Sequence, residues 1–207
     1  MNVYGDSNSQ VITANPETKE LYSDILPPLS LRVTTLQDQK EYQSFIKNVV
    51  RLVRASYEYR LWTGYVKDTL GHNFCALTGE VADEVTVEIH HHPFTLYDIC
   101  ETILNHYITN GLEFCSMDIA IRVLELHYEN RVGYIPLCKT LHEKYHNGAL
   151  TIPINLVHGD WKYLLEHYSP PQHIYVKVMA LSQITTSNHR GWKKDEYQIT
   201  EHEVCTT

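Results

Sequence analysis

The residues best suited to chemistry in this 207-residue chain are its histidines. Three stand in a row, His90-His91-His92, where the alternating run Val85-Thr-Val-Glu-Ile ends, and Pro93 follows them. A second group, Leu141-His142-Glu-Lys-Tyr-His146, spaces two imidazoles four residues apart, which puts both on one face of a helix. Neutral imidazoles converging from a strand end and a helix are what a transition-metal site requires. Taken singly, a His-x-x-x-His pair reads as a polar helix face and a histidine run as a polar turn. The two together, at the ends of two elements, point to a metal centre.

Other elements must position these side chains. From about Asp38 to Leu61, Phe45, Ile46, Val49, Val50, Val53 and Tyr57 recur at three and four residues, which predicts an amphipathic helix. Lys47, Arg51 and Arg54 lie on its other side. Between Arg32 and Lys67 there are seven basic and three acidic residues, a local +4 in a chain of net charge −8. That strip reads either as a solvated helix face or as a surface for phosphates. Thr78-Gly79 marks a tight turn before the Val85–Ile89 strand, so a β-hairpin ending at the histidines is expected. Residues 93–132 read as an acidic, all-helical insertion that opens at Thr95-x-x-Asp98, breaks at Gly111 and resumes with Ser116 as a cap. Beyond Gly148 the pattern gives an extended piece from Thr151, a short helix from Trp161 to Tyr168 stopped by Pro170-Pro171, and a strand from Ile174 to Leu181. Residues 1–30 read as an arm laid over the body and 187–207 as a polar tail. A single α+β domain is left over 31–186.

Composition narrows the function. A net charge of −8 argues against a protein that coats nucleic acid without specificity. Five cysteines, an odd number without paired spacing, make no disulfide framework and suit a reducing cytoplasm. No apolar run approaches a bilayer span, and the N-terminus lacks a basic-then-apolar leader. A cytoplasmic protein, in the host cytoplasm if phage-encoded, is the expectation. No Gly-x-Ser-x-Gly elbow, phosphate loop or dinucleotide fingerprint is present.

Over roughly 75 residues, Cys75-Ala-Leu-Thr78-Gly79, Glu88-Ile-His90-His91 and Pro136-Leu-Cys138-Lys-Thr-Leu141-His142-x-x-x-His146 resemble the HNH (His-Me finger, ββα-metal) endonucleases, in particular the small stand-alone kind found in bacteriophages. The resemblance implies a ββα-metal core with a helical insertion, an N-terminal amphipathic helix and a C-terminal strand/helix extension. It assigns His90, His142 and His146 as ligands of one Mg²⁺, Mn²⁺ or Zn²⁺ ion and His91 as the general base that activates water. The sequence departs from the family pattern in two places. Thr78 and Leu141 stand where the structural-zinc knuckles carry cysteine, so Cys75 and Cys138 form a degenerate pair. The two should lie close together as reduced thiols, since two thiolates do not complete a zinc site. Gly133 stands where an asparagine orients the base, with Asn130 the nearest substitute.

Two functions follow from this reading. One is a metal-dependent nuclease cutting DNA phosphodiesters, with Lys47, Arg51 and Arg54 on the DNA backbone. The other is a catalytically degenerate scaffold that binds a protein partner, a component of transcription or replication machinery, through residues 95–128.

Overall fold

Asp38 starts helix α1 (Gln39–Ala55) by accepting the Glu41 N–H at 2.8 Å. The computed structural model of the protein, which describes residues 33–36 and 38–187, buries Ile46, Val49 and Val53 of this helix. The helix stops short of Leu61. Ser56 Oγ donates to the Val53 carbonyl at 2.8 Å and accepts the Tyr59 N–H at 3.1 Å, so one serine closes α1 and opens α2 (Tyr57–Gly64). Tyr57, expected in the buried stripe, is 62 % exposed as a result. A π-helical turn, Tyr65–Thr69, continues from α2.

Strand β1 (Val87–His91) pairs antiparallel with β2 (Tyr134–Cys138), in register from Val87 opposite Cys138 to His91 opposite Tyr134. The expected hairpin between the Cys75 segment and the histidine strand does not form. Residues 75–80 instead close their own turn, with the Cys75 N–H on the Glu80 carbonyl and the Gly79 N–H on the Cys75 carbonyl, both at 2.7 Å. Gly79 takes φ +85° there. The segment reaches the sheet backbone at Ala76, whose N–H donates to the Pro136 carbonyl at 2.9 Å. β2 is buried at all five positions and offers β1 the more apolar partner. Pro136 disguised it by suggesting a helix entry.

Between the strands lie α3 (Leu96–Thr109) and α4 (Ser116–Tyr128), as the helical insertion predicted. The capping box at Thr95 and Asp98 is formed: Thr95 N–H donates to Asp98 Oδ2 at 2.7 Å and Asp98 N–H to Thr95 Oγ1 at 3.2 Å. Gly111, at φ +63°, turns the chain. The cap of α4 is Cys115 rather than Ser116, its N–H donating to Asp118 at 2.8 Å. Helix α5 (Lys139–His146) leaves β2 directly. A 3₁₀ turn (Ile154–Leu156), α6 (Tyr163–His167) and α7 (Gln172–Leu181) complete the described chain.

Helix α7 replaces the strand expected from Ile174 to Leu181. Only Ile174 and Val178, four residues apart, are buried, while Tyr175 and Val176 are 43 % and 56 % exposed. One helical stripe in contact with the core outweighs the β propensity of the segment. On the same helix, Lys177 donates to the buried Asp98. Asp98 thus caps α3 and ties α3 to α7. Asp98→Ala is expected to cost about 2–4 kcal/mol, a lost cap plus a charge-assisted bond, read as a lower urea midpoint.

Among the described residues, seven α-helices accompany one two-stranded antiparallel sheet, an α+β arrangement as expected. A larger apolar cluster joins α1, α3, α4, α6 and α7, and a smaller one gathers Cys75, Leu77, Ile135, Leu137, Leu141 and Ile152. Strand β2 spans the two, with Tyr134 in the first and Ile135 in the second. No described helix is long and apolar enough to cross a membrane. The arm expected at 1–30 and the tail at 187–207 lie outside the described residues, apart from Ser187.

Candidate metal centre

The end of β1 and one face of α5 meet where the sequence placed them. His90 Nδ1 lies 2.9 Å from His142 Nε2, and His146 Nε2 lies 2.9 Å from the same atom. One nitrogen from each of the three rings falls within 4.8 Å of the other two. The two α5 histidines share a face because they are one helical turn apart. Antiparallel pairing of β1 with β2 then carries His90 to the helix that β2 feeds.

The tautomers follow from the partners. His142 Nδ1 sits 2.5 Å from Glu88 Oε2, and a carboxylate can only accept, so Nδ1 carries a proton and, in the neutral ring, Nε2 the lone pair. One in-plane lone pair on His142 Nε2 therefore faces two imidazole nitrogens and can accept a proton well from only one. A shared cation satisfies all three. Glu88 stands to His142 as the orienting carboxylate does in carboxylate–histidine–metal arrangements. A tetrahedral ion at the usual metal–nitrogen distance holds its nitrogens roughly 3.3 Å apart, a few tenths of an ångström wider than the 2.9 Å seen here. Burial, with the neighbouring His142, His92 and His146, holds the His90 imidazole neutral, far below its ordinary pKa. His90, His142 and His146 could hold a metal ion.

His91 borders the same pocket as these three, but its ring is held by a different set of neighbours. It is 6 % exposed and stacks on Tyr59 and Trp62, with ring centroids 6.2 and 5.9 Å away. Its Nε2 lies 2.8 Å from His127 Nε2, while His127 Nδ1 lies 2.6 Å from the Val123 carbonyl. The carbonyl fixes the His127 proton on Nδ1, so His91 donates from Nε2. Sequence reading passed over His127. A buried histidine four residues after Val123, on the inner face of α4, was the only signal available. Asn130, at φ +56°, instead accepts the Asp160 N–H on its backbone carbonyl at 2.9 Å. His92, fully buried after β1, has Nδ1 3.4 Å from the Tyr145 hydroxyl and precedes a cis proline.

Gly133 tolerates no side chain at all. A Cβ there would stand 2.1 Å from the His92 carbonyl oxygen and 2.7 Å from Trp161 Cβ. An asparagine at this position is sterically excluded. Cys75 and Cys138 are buried free thiols hydrogen-bonded to one another, and Leu141 packs in the same apolar cluster. Lys47, Arg51 and Arg54 are exposed along α1; Arg51 donates to Asn48 at 2.8 Å, and Arg54 lines the pocket of the histidines. Of the 95–128 segment, α3 is mostly buried, so its outward surface belongs largely to α4.

The family described as Bacteriophage G278-like virion protein matches residues 12–203, and the chain belongs to it. Comparison with curated proteins gives no match, and comparison with solved structures gives none either. The family assignment overturns the HNH resemblance and with it the nuclease function. The half-knuckles and histidine spacing that carried the resemblance are accounted for locally, by a thiol pair in an apolar cluster and by a sheet that feeds α5.

Proposed function

We propose that this virion protein is a structural part of the phage particle in which a divalent ion on His90, His142 and His146 fastens α5 to β1. The observation that carries the fastening role is the placement of His142 between Glu88 and two further imidazoles. Helix α5 is eight residues long and buries only Leu141, so its own packing holds it weakly. A ligand that binds only the folded chain adds stability by mass action. Three imidazoles favour a zinc-type ion over Mg²⁺, which prefers oxygen ligands.

A particle component must also meet neighbours. Between α1, the start of α2 and α4 runs an apolar groove of about 810 Å³, lined by Leu52, Ala55, Met117, Ile121, Leu124 and Tyr128. Met117, Ile121 and Tyr128 are 43, 48 and 54 % exposed. Contiguous exposed apolar surface of this kind marks a protein-contact face. The proposed partner is another protein of the particle, seated on the outer face of α4. Ile121→Lys, at an exposed position, is expected to leave the melting temperature unchanged and to deplete the protein from gradient-purified particles, measured by quantitative mass spectrometry. Undiminished incorporation would exclude this face, and absence of the wild-type chain from purified particles would exclude the structural role.

A further inference from the structure

The three histidines line one solvent-open pocket of about 400 Å³, together with His91 and with Arg54, Tyr59, Glu88, Ile89, Thr95 and Leu96. Three imidazoles supply no charge, and a tetrahedral ion bound by three protein ligands keeps a fourth position for an outside donor. The carboxylate at the site, Glu88, is engaged with His142 Nδ1 and reaches an ion only through that ring. Arg54 adds a positive field at His146, where Glu88 opposes it, and at His91, and it has no ion-pair partner among the described residues. A divalent ion and a guanidinium in one pocket carry three positive charges against the one negative charge of Glu88, and walled by Ile89, Leu96 and Tyr59 they make a receptor for an anion.

We infer that the metal-loaded pocket binds a carboxylate, which takes the fourth position on the ion and a charge-assisted hydrogen bond from Arg54. The inference rests on the metal reading above. A carboxylate is favoured over a phosphate because the pocket offers one guanidinium, and the Thr95 hydroxyl is already committed to Asp98 at 2.6 Å. A phosphate dianion would have to leave its remaining oxygens to water on the open side of the pocket. In a particle, such a carboxylate comes from a side chain or the C-terminus of an adjoining protein.

The test uses the full untagged chain loaded with Co²⁺, whose visible absorption reports coordination, in a non-coordinating buffer. Acetate and inorganic phosphate are titrated separately. A saturable spectral change with acetate, weakened roughly tenfold in Arg54→Gln, is the expected result. Cobalt that binds but ignores acetate would overturn the inference and leave the metal clamp standing. Saturation by phosphate alone, or an Arg54→Gln variant that binds acetate as the wild type does, would also overturn it. Failure to bind cobalt at all would remove the clamp and this inference together.

Discussion

Gly133→Ala is expected to destabilise the fold severely. The added carbon would overlap the His92 carbonyl oxygen at 2.1 Å and Trp161 Cβ at 2.7 Å, and neither is the flexible end of a side chain. Relief requires moving the start of β2 away from the end of β1, where the His92 N–H now reaches the Gly133 carbonyl at 3.1 Å. That shift would propagate into the register that aims His90 at α5. Overpacking of this kind costs about 3 kcal/mol or more. Gly111→Ala is the control: nothing lies within 4 Å of its added carbon, and only the φ of +63° is unfavourable, a cost of about 1–2 kcal/mol. Urea unfolding of both variants measures the contrast. Equal midpoints would contradict the close approach of β2 to His92.

Acid should destabilise the protein through the buried histidines of α4 and the loops. Burial pushes the His127 pKa down to about 4, with the hydrogen bond to the Val123 carbonyl opposing the shift only in part. His91, from β1, and Tyr59 and Trp62, from α2, surround the ring and offer no negative charge. The sign follows directly. A folded-state pKa below the unfolded value means that the unfolded chain binds the proton first. Stability is therefore whole above about pH 6.5 and falls as the pH drops toward 4, by about 3 kcal/mol for His127. His72 and His158, stacked with centroids 4.0 Å apart, are shifted the same way by burial and add to the effect. Melting temperatures of chelator-treated protein at pH 7, 5.5 and 4 provide the measurement, with His127→Gln expected to show the shallower decline. A wild-type profile that is flat, or steeper in the variant, would contradict the assignment.

Much of this architecture is legible in local chemistry. Thr95 and Asp98 announce a helix start, Gly111 its end, and the spacing of His142 and His146 their common face. What local pattern cannot carry is the choice of partner. The histidine strand had two candidate neighbours, and the nearer one in sequence lost to an all-buried strand 43 residues on, whose proline hid it. The strand expected at Ile174–Leu181 failed for the same reason, because contacts along one helical stripe decided between two permitted structures. Residue type and spacing pointed to imidazoles converging from the strand end and α5, and the HNH resemblance singled out His90 with His142 and His146, the three that do converge. The family itself was the wrong one, because a few histidines and half-knuckles specify a metal-competent corner and say little about the protein around it. His127 reads as unremarkable in the sequence because a single core histidine has no sequence pattern.

The most direct test of the metal clamp is elemental analysis of untagged, full-length protein after zinc addition and gel filtration, for the wild type and His142→Ala/His146→Ala. About one zinc per wild-type chain, none in the variant, and a melting temperature that zinc raises only in the wild type are the results predicted. A wild-type chain that retains no metal would contradict the account, and the three imidazoles would then be no more than a polar contact between β1 and α5.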